Sequence, residues 1–496
     1  MVLDSSICRQ ARLSRDLRFD GKFFTAVLTT GIYCRPTCPA GPAKEENVRY
    51  YLSAAQAEFN GYQPCKRCKP ELSPEQQLSS HLSQALNLIT ISPQLSVHQL
   101  AQKLQLSERQ VQRLFKENLG LNPNEFINQK RQITARTLLL STSITIADVA
   151  IISGFGSTRS FNEHIKKQYK LTPSQLRKSI KSIKSQKHNH LQLKLKYQGK
   201  LNWPLMLNFF RARVIPGVEL VTDSYQRTIS IDNCHGWIKV SKDENNVTND
   251  EYLTLDVVIN DYSQLSQIIS RVRKMFDLDC NLAVITEHLG QHNVFQQVIA
   301  NSQGLRLPGC WDIFEFSIRA ILGQQISVKA ATTLAGRIAN KYAEKVEHEI
   351  LQALPDGLEL YFPSSLTLAN ADFKELGITD TRQQTLSTWI EFFDRNHALF
   401  RTTQDAESFE KTLCQLKGIG PWTANYMAMR GLSLPDAFPA ADLGIIKALT
   451  NKAPANNETT KPITPKQILA EAEQWRPWRS YAAIYLWQTL APQNKN

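Results

Sequence analysis

No stretch of the 496-residue chain approaches the ~18 consecutive apolar residues that a membrane-spanning helix requires. The first residues, MVLDSSICRQARLSRDLRFDG, lack the apolar core of a secretory leader, so a soluble, cytoplasmic protein with no membrane partner is expected. A disulfide framework is disfavoured as well. The nine cysteines are odd in number, and Cys8, Cys234, Cys280, Cys310 and Cys414 are scattered. Disorder is excluded by composition, with 42% hydrophobic, 9% aromatic and 21% charged residues. At ~100–200 residues per domain, about three to five domains are expected.

Negative charge is lacking in one part only. Residues 1–190 hold 27 Lys and Arg against 13 Asp and Glu, a balance of +14, while residues 191–496 hold 31 against 32. Such asymmetry suggests a polyanionic partner for the first part. Nucleic acid fits better than a membrane surface, because no basic amphipathic helix stands alone.

Texture divides the chain further. Residues 1–75 carry turn signals and four clustered cysteines, and residues 78–180 show apolar spacing of three and four, as helices do. KSIKSQKHNH (181–190) reads as a linker. From 191 LQLKLKY alternates with period two, TISIDNCHGWIKV and YLTLDVVI look like further strands, and the segment to about 300 reads as strand-rich. Beyond ~305 the pattern is helical to the end, broken by loops at 354–357, 418–421 and 435–444. The expected fold class is multidomain α+β: a small cysteine-bearing domain over 1–75, an all-α domain over 78–180, a mixed α/β domain over 191–304 and an all-α domain over 305–496.

One segment repeats. LAQKLQLSERQVQRLFKENLGLNPNEF (100–126) is echoed by VAIISGFGSTRSFNEHIKKQYKLTPSQL (149–176), each with a short helix, a tight turn at Leu106 or Gly154-Phe155, a second helix and a closing Pro. Two such copies joined by a helix around 126–140 resemble the AraC family of transcription regulators over about a hundred residues. The recognition helices are then roughly Glu108–Asn118 and Thr158–Gln168. Arg109, Gln110, Arg113, Thr158, Arg159 and Asn162 face outward, toward base edges and phosphates.

The cysteine cluster reads Cys34-x3-Cys38, 26 residues, Cys65-x2-Cys68, with Gly, Pro and basic residues around both pairs. Two close pairs on separate loops can wrap a tetrahedral ion, and thiolates select zinc. A purely structural zinc is one reading. TTGIYCRPTCPA, ENVRYY and GYQPCKRCKP together resemble the N-terminal domain of the Ada adaptive-response proteins. That resemblance implies that Cys34 is both a zinc ligand and a nucleophile accepting a methyl group, once only, from a DNA phosphotriester. Arg35, Lys66 and Arg67 are placed to steer the phosphate.

In the last third, LKGIGPWTANYMAMRG (416–431) has the form of a helix-hairpin-helix turn, in which Gly418, Ile419 and Gly420 present backbone N–H groups to a phosphate and Thr423-Ala424 opens the next helix. About twenty residues on, FPAADLGI carries Asp442, which by itself could equally be a helix cap. The pairing resembles the helix-hairpin-helix base-excision glycosylases. LRLPGCWDIFEFSIRAILGQQISV (305–328) and WRPWRSYAAIYLWQ (475–488) narrow the likeness to AlkA 3-methyladenine glycosylases over some 300 residues. The resemblance implies a catalytic role for Asp442 and an aromatic cleft of Trp422, Tyr426 and Trp487 for a flipped, positively charged purine. It puts the intercalating wedge at Gln325, where leucine is usual, and Lys417 where proline is usual.

Trp422 occupies the place of the lysine nucleophile of strand-cutting relatives, so a monofunctional enzyme is expected. No cysteine follows Cys414, so no iron–sulfur cluster is expected. Nor is there a Pro-Cys-His-Arg motif, so direct reversal of base lesions is not expected. The whole reads as an alkylation-repair glycosylase fused to a methyl-phosphotriester-sensing regulator. The alternative is a transcription activator with a non-catalytic glycosylase-like half. Expected partners are double-stranded DNA and RNA polymerase, with one zinc ion and a monomeric chain.

Overall fold

The basic part and the neutral part of the chain fold as two units, residues 1–140 with 144–182, and residues 141–143 with 183–496. A computed structural model describes residues 5–14, 19, 23–38, 40–41, 43–65, 67–68, 70, 80–141, 144–169, 171–178, 190–242, 251–346, 354–402, 405–450 and 463–490. Most of the expected linker, 181–189, lies outside them, and His190 already begins a strand. Among the described residues no helix is long and apolar enough to cross a membrane.

In the first unit, α1 (Ser5–Ser14) precedes a sheet of β1 (Phe24–Val27), β2 (Ile32–Cys34), β3 (Val48–Tyr51) and β4 (Gln63–Pro64), ordered β3-β1-β2-β4. β4 runs parallel to β2 with Tyr33 opposite Pro64, which sets the C-terminal ends of the two strands side by side. Phe24, Ala26 and Tyr33 pack on Ala57 of α2 (Ala54–Phe59). Ser53 caps α2, and its hydroxyl also donates to Leu119 O at 2.7 Å, pinning the sheet to the helices that follow.

Those helices are α3 (Ser80–Ile91), α4 (Val97–Leu104), α5 (Glu108–Leu119), α6 (Pro123–Ser141), α7 (Ile146–Ile152), α8 (Thr158–Tyr169) and α9 (Pro173–Lys178). The pairs α4–α5 and α7–α8 are the two repeats. The joining helix starts three residues before the expected 126, at Pro123, whose fixed φ suits a first helical position. In the first turn the left-handed residue is Gln105, at φ 55°; in the second it is Gly154, at φ 84°. A Cβ on Gly154 would lie 2.6 Å from the carbonyl carbon of Pro93, so the second copy seats against that loop only through glycine. Arg131 of α6 donates to Pro93 O at 2.7 Å, so one loop serves both copies.

The second unit opens with an antiparallel sheet of β5 (His190–Lys196), β6 (Glu219–Val221), β7 (Tyr225–Ile231), β8 (Cys234–Ser241) and β9 (Tyr252–Ile259), ordered β5-β9-β8-β7-β6. The period-two reading of LQLKLKY holds: Leu191, Leu193 and Leu195 are buried and the residues between them exposed. α10 (Trp203–Arg211) lies between β5 and β6.

Two expectations need correction. Strands do not continue to about 300: beyond Ile259 come α11 (Leu265–Met275), α12 (Leu282–Gly290) and α13 (Asn293–Asn301). In α11 the buried residues Leu265, Ile268, Val272 and Met275 have helical spacing. Nor is the chain wholly helical beyond 305. After α14 (Ile313–Leu322) and α15 (Val328–Tyr342), β10 (Glu344–Lys345) pairs with β11 (Leu360–Tyr361), two-residue strands too short to show a period. Then follow α16 (Ser365–Leu368), α17 (Asp380–Arg395), α18 (His397–Thr402), α19 (Ala406–Leu413), α20 (Pro421–Tyr426), a π-helical turn (Met427–Gly431), α21 (Leu443–Thr450), α22 (Pro465–Ala472) and α23 (Arg479–Gln488).

A single core joins Ile215 to Leu486 through α12 to α23. Beneath it, a buried ion network ties the sheet to α14. Arg227 Nη2 donates to Glu315 at 2.6 Å, and Glu219 accepts from Arg319 at 3.2 Å. Removing one member would strand an unpaired buried charge, at a cost of about 3–5 kcal/mol.

Candidate active sites and nucleic-acid interface

Cys34 ends β2, and Cys65 follows β4 with its N–H donating to Tyr33 O at 3.0 Å. The strand pairing therefore juxtaposes the two cysteine pairs. The four sulfurs of Cys34, Cys38, Cys65 and Cys68 all lie within 4.8 Å of one another, so a contraction of about 1 Å or less would bring them onto the ~3.8 Å edges of a tetrahedron of ~2.3 Å zinc–sulfur bonds. Thiols so close cannot all ionise unaided. Its hydrogen bond with Cys68, and then burial, push Cys34 far up, whereas Cys34 draws Cys68 down to about 6. A divalent cation removes that conflict, so the donor set fits the metal. Arg35 N–H donates to Cys68 Sγ at 3.4 Å and Arg67 is exposed beside the site; Lys66 lies outside the described residues.

The helices α5 and α8 match the expected recognition helices to within one residue at their C-termini. Arg109, Arg113, Thr158 and Asn162 are exposed on them. Gln110 is exposed too, but only its amide Nε2 is left to read with. Its Oε1 accepts from Ser107 N at 2.8 Å and closes a capping box. Arg159 is also exposed, but it pairs with Glu163 one turn on, at 3.2 Å.

In the second unit a cleft of about 1070 Å³ is lined by the hairpin Gly418 and Gly420, by Gln324 and Gln325, by Trp422, Tyr426 and Trp487, and by Asp442. The hairpin needs its first glycine: Gly418 sits at φ 89°, and a Cβ there would fall 2.1 Å from Thr385 Oγ1. The N–H groups of Gly418 and Gly420 have no acceptor among the described residues. Ile419 is buried and anchors the turn, and Lys417 is exposed. The helix begins at Pro421 rather than Thr423, because proline supplies a ready-made first helical residue. Thr423 faces inward, and its hydroxyl accepts from Gln324 Nε2 at 3.0 Å.

Asp442 unites both readings of that residue. Its Oδ1 accepts from Gly444 N at 2.9 Å and Ile445 N at 3.2 Å, as a cap of α21. The same oxygen accepts from Trp487 Nε1 at 2.8 Å, and Oδ2 accepts from Trp422 Nε1 at 2.9 Å. The two indoles are thus donors to the carboxylate as well as aromatic walls. Trp422 stacks on Tyr426 with centroids 5.2 Å apart at 15°, and Tyr426 meets Trp487 edge-on at 6.2 Å.

Gln325 is exposed on the α14–α15 turn at φ 57°. Its neighbour Gln324 was not expected to matter, yet its amide donates to Gly418 O at 2.9 Å as well as to Thr423, clamping that turn to the hairpin. Gly444 was also missed. A Cβ there would sit 3.0 Å from both Asp442 Oδ1 and the Trp487 ring, so glycine makes room for the carboxylate–indole pair. For Gln324 the QQ doublet was the one visible sign.

Comparison with known proteins adds independent findings. Family models match the metal binding domain of Ada over residues 7–71, a helix-turn-helix domain over 100–179 and the AlkA N-terminal domain over 192–312. A probable bifunctional transcriptional activator/DNA repair enzyme AlkA of Mycobacterium tuberculosis is 34% identical, covering 98% of this chain and 97% of its own. DNA-3-methyladenine glycosylase 2 of Escherichia coli is 33% identical over 60% of this chain and 96% of its own. Among solved structures, 3-methyladenine DNA glycosylase from Archaeoglobus fulgidus shares the fold of the second unit, with TM-score 0.50 and 20% identity, over 59% of this chain and 96% of that one.

Proposed function

The chain belongs to the family of bifunctional transcriptional activator/DNA repair enzymes of AlkA type, and from that premise we propose a division of labour between its two units. It is a DNA-alkylation repair protein that hydrolyses the N-glycosidic bond of alkylated purines of the 3-methyladenine kind, fused to a DNA-binding regulator with one four-cysteine zinc site. Its partner is DNA. RNA polymerase contact, a monomeric state and a cytoplasmic location complete the proposal.

The observation that carries the glycosylase reading is the Asp442 carboxylate, fixed by two indole N–H groups in a cleft that also presents the hairpin. A damaged base enters against Trp422, Tyr426 and Trp487, and Gln325 fills the stack it leaves. As the C1′–N bond breaks, its electron pair leaves with the base and Asp442 stabilises the cationic sugar. Water then adds at C1′ and gives up a proton to solvent, the alkylated base having left neutral. Trp422 offers no amine for a Schiff base, so the product is an intact abasic strand.

In the first unit, bound zinc keeps the four cysteines deprotonated at neutral pH. The Cys34 sulfur attacks the methyl carbon of a phosphotriester. A C–S bond forms, the C–O bond breaks, and the phosphate oxygen regains its charge. A neutral triester lacks the repulsion that guards normal backbone against a thiolate. Arg109, Arg113, Arg159 and Asn162 carry promoter recognition. Base release from methylated DNA is the deciding measurement: Asp442→Asn is expected to lose about 10²–10³-fold, and full excision by that variant would defeat the reading.

A further inference from the structure

Tyr426 stands at the junction of α20 with the π-helical turn. Its hydroxyl accepts from Arg430 Nη1 at 3.0 Å, and the Arg213 guanidinium stands near enough for its charge to act on the phenol. A phenol oxygen has two lone pairs to receive with and one proton to give. One guanidinium takes the receiving side, a second adds its charge, and among the described residues no acceptor for the proton is present. The ring lines the Asp442 cleft, so the proton is free to serve a group lodged there.

Neither arginine can turn away. Arg430 Nε donates to Pro308 O at 2.8 Å and Nη2 to Gly309 O at 3.0 Å. Arg213 Nη1 donates to Phe209 O at 2.9 Å, with its guanidinium 3.7 Å over the Phe209 ring. Arg319, fastened to Glu219 at 3.2 Å, also donates to the Arg213 carbonyl. Burial pushes the Tyr426 phenol up, but Arg430, Arg213 and Arg319 outweigh it and hold the group below its ordinary value. The result is a stronger hydrogen-bond donor than a free phenol.

We propose that Tyr426 is a catalytic residue, its hydroxyl donating to an acceptor atom on the edge of the departing base, with Arg213 and Arg430 as positioning residues. This rests on the glycosylase reading. When the glycosidic bond breaks, its electron pair moves onto the base nitrogen and spreads to the ring acceptors. A purine alkylated on a ring nitrogen is cationic and departs neutral. A neutral purine such as hypoxanthine departs as an anion, and a preorganised donor stabilises the charge as it arrives. The Tyr426 hydroxyl therefore matters most for neutral lesions.

The test uses the full chain and duplexes carrying a single hypoxanthine or a single 7-methylguanine, with single-turnover base release as readout. Tyr426→Phe keeps the ring and removes only the donor. Its rate on hypoxanthine is expected to fall about 10²-fold, at least tenfold more than its rate on 7-methylguanine. Arg213→Met should show the same lesion bias more weakly, and Arg213→Lys should recover part of it. Equal losses on both lesions would reduce Tyr426 to an aromatic wall and overturn the proposal. So would a wild type that releases 7-methylguanine but no hypoxanthine. A wild type that releases neither would overturn the glycosylase reading and this inference with it.

Discussion

At the zinc centre every reactive atom comes from two short segments, residues 34–38 and 65–68, whereas the Asp442 carboxylate is held from twenty positions upstream by Trp422 and forty-five downstream by Trp487. The sulfurs form a closed set. Backbone N–H groups reach Cys38 and Cys68, but they do not offset the crowding of four thiolates, so the cluster stands or falls with the metal. Asp442 is supported by distributed bonds: Oδ1 has three donors, two of them backbone, and Oδ2 has one. A closed set should fail all at once, and a distributed one should fail by degrees.

The sharpest break is Cys65→Ser. Structural zinc contributes about 10–16 kcal/mol to folding in small metal domains, and this sheet has only a handful of buried side chains besides. Loss of zinc by metal analysis, and loss of hydrogen-exchange protection over residues 23–65, are expected in the full chain. Base release should persist, because Asp442 belongs to the other unit. A variant that keeps its fold without metal would refute the closed-set picture.

Graded failure is tested on the indoles. Trp422→Phe removes the sole donor to Oδ2 among the described residues, while Trp487→Phe leaves Oδ1 its two backbone donors. Hydrogen bonds to charged groups contribute about 1.5–3 kcal/mol. Trp422→Phe should therefore slow 7-methylguanine release about 10–100-fold at saturating DNA, and Trp487→Phe by less. The reverse order would mean that ring contact with the base outweighs the carboxylate bonds.

The same contrast explains what was legible beforehand. Cysteine spacing, the tandem repeat and the hairpin glycines are local patterns, each imposed by the geometry of one loop or turn. They placed Cys34, Cys38, Cys65 and Cys68 together, and the recognition helices to within one residue. The donors around Asp442 and the arginines around Tyr426 come from segments far apart in the chain, and nothing periodic marks such meetings. Arg213 belongs to the α10–β6 connection of the sheet-bearing part, yet it reaches a cleft formed mostly by later helices. Gln110 is half engaged for a local reason: Ser107-x-x-Gln110 is a capping box, and the backbone claims the amide oxygen.

The smallest expected effect is the one that links repair to regulation. Methylating Cys34 turns a thiolate into a neutral thioether and makes the first unit less negative by one charge. At about 10 Å through water, one charge against one phosphate is worth about 0.4 kcal/mol, so a few phosphates together give about 1 kcal/mol, or roughly fivefold in affinity. Promoter-fragment binding should tighten by that factor at low salt, and the gain should shrink as salt rises and screens the added attraction. Excision should not follow, since the hairpin presents backbone N–H groups and the second unit carries no excess charge. Affinity and base release are to be measured with Cys34 free, methylated and replaced by Ala, each across a salt series. A gain that survives high salt undiminished would mean that methylation reshapes the domain rather than discharging it. No gain at any salt would leave Cys34 a repair acceptor without a regulatory role. Loss of base release in Cys34→Ala would show that the two centres are coupled after all.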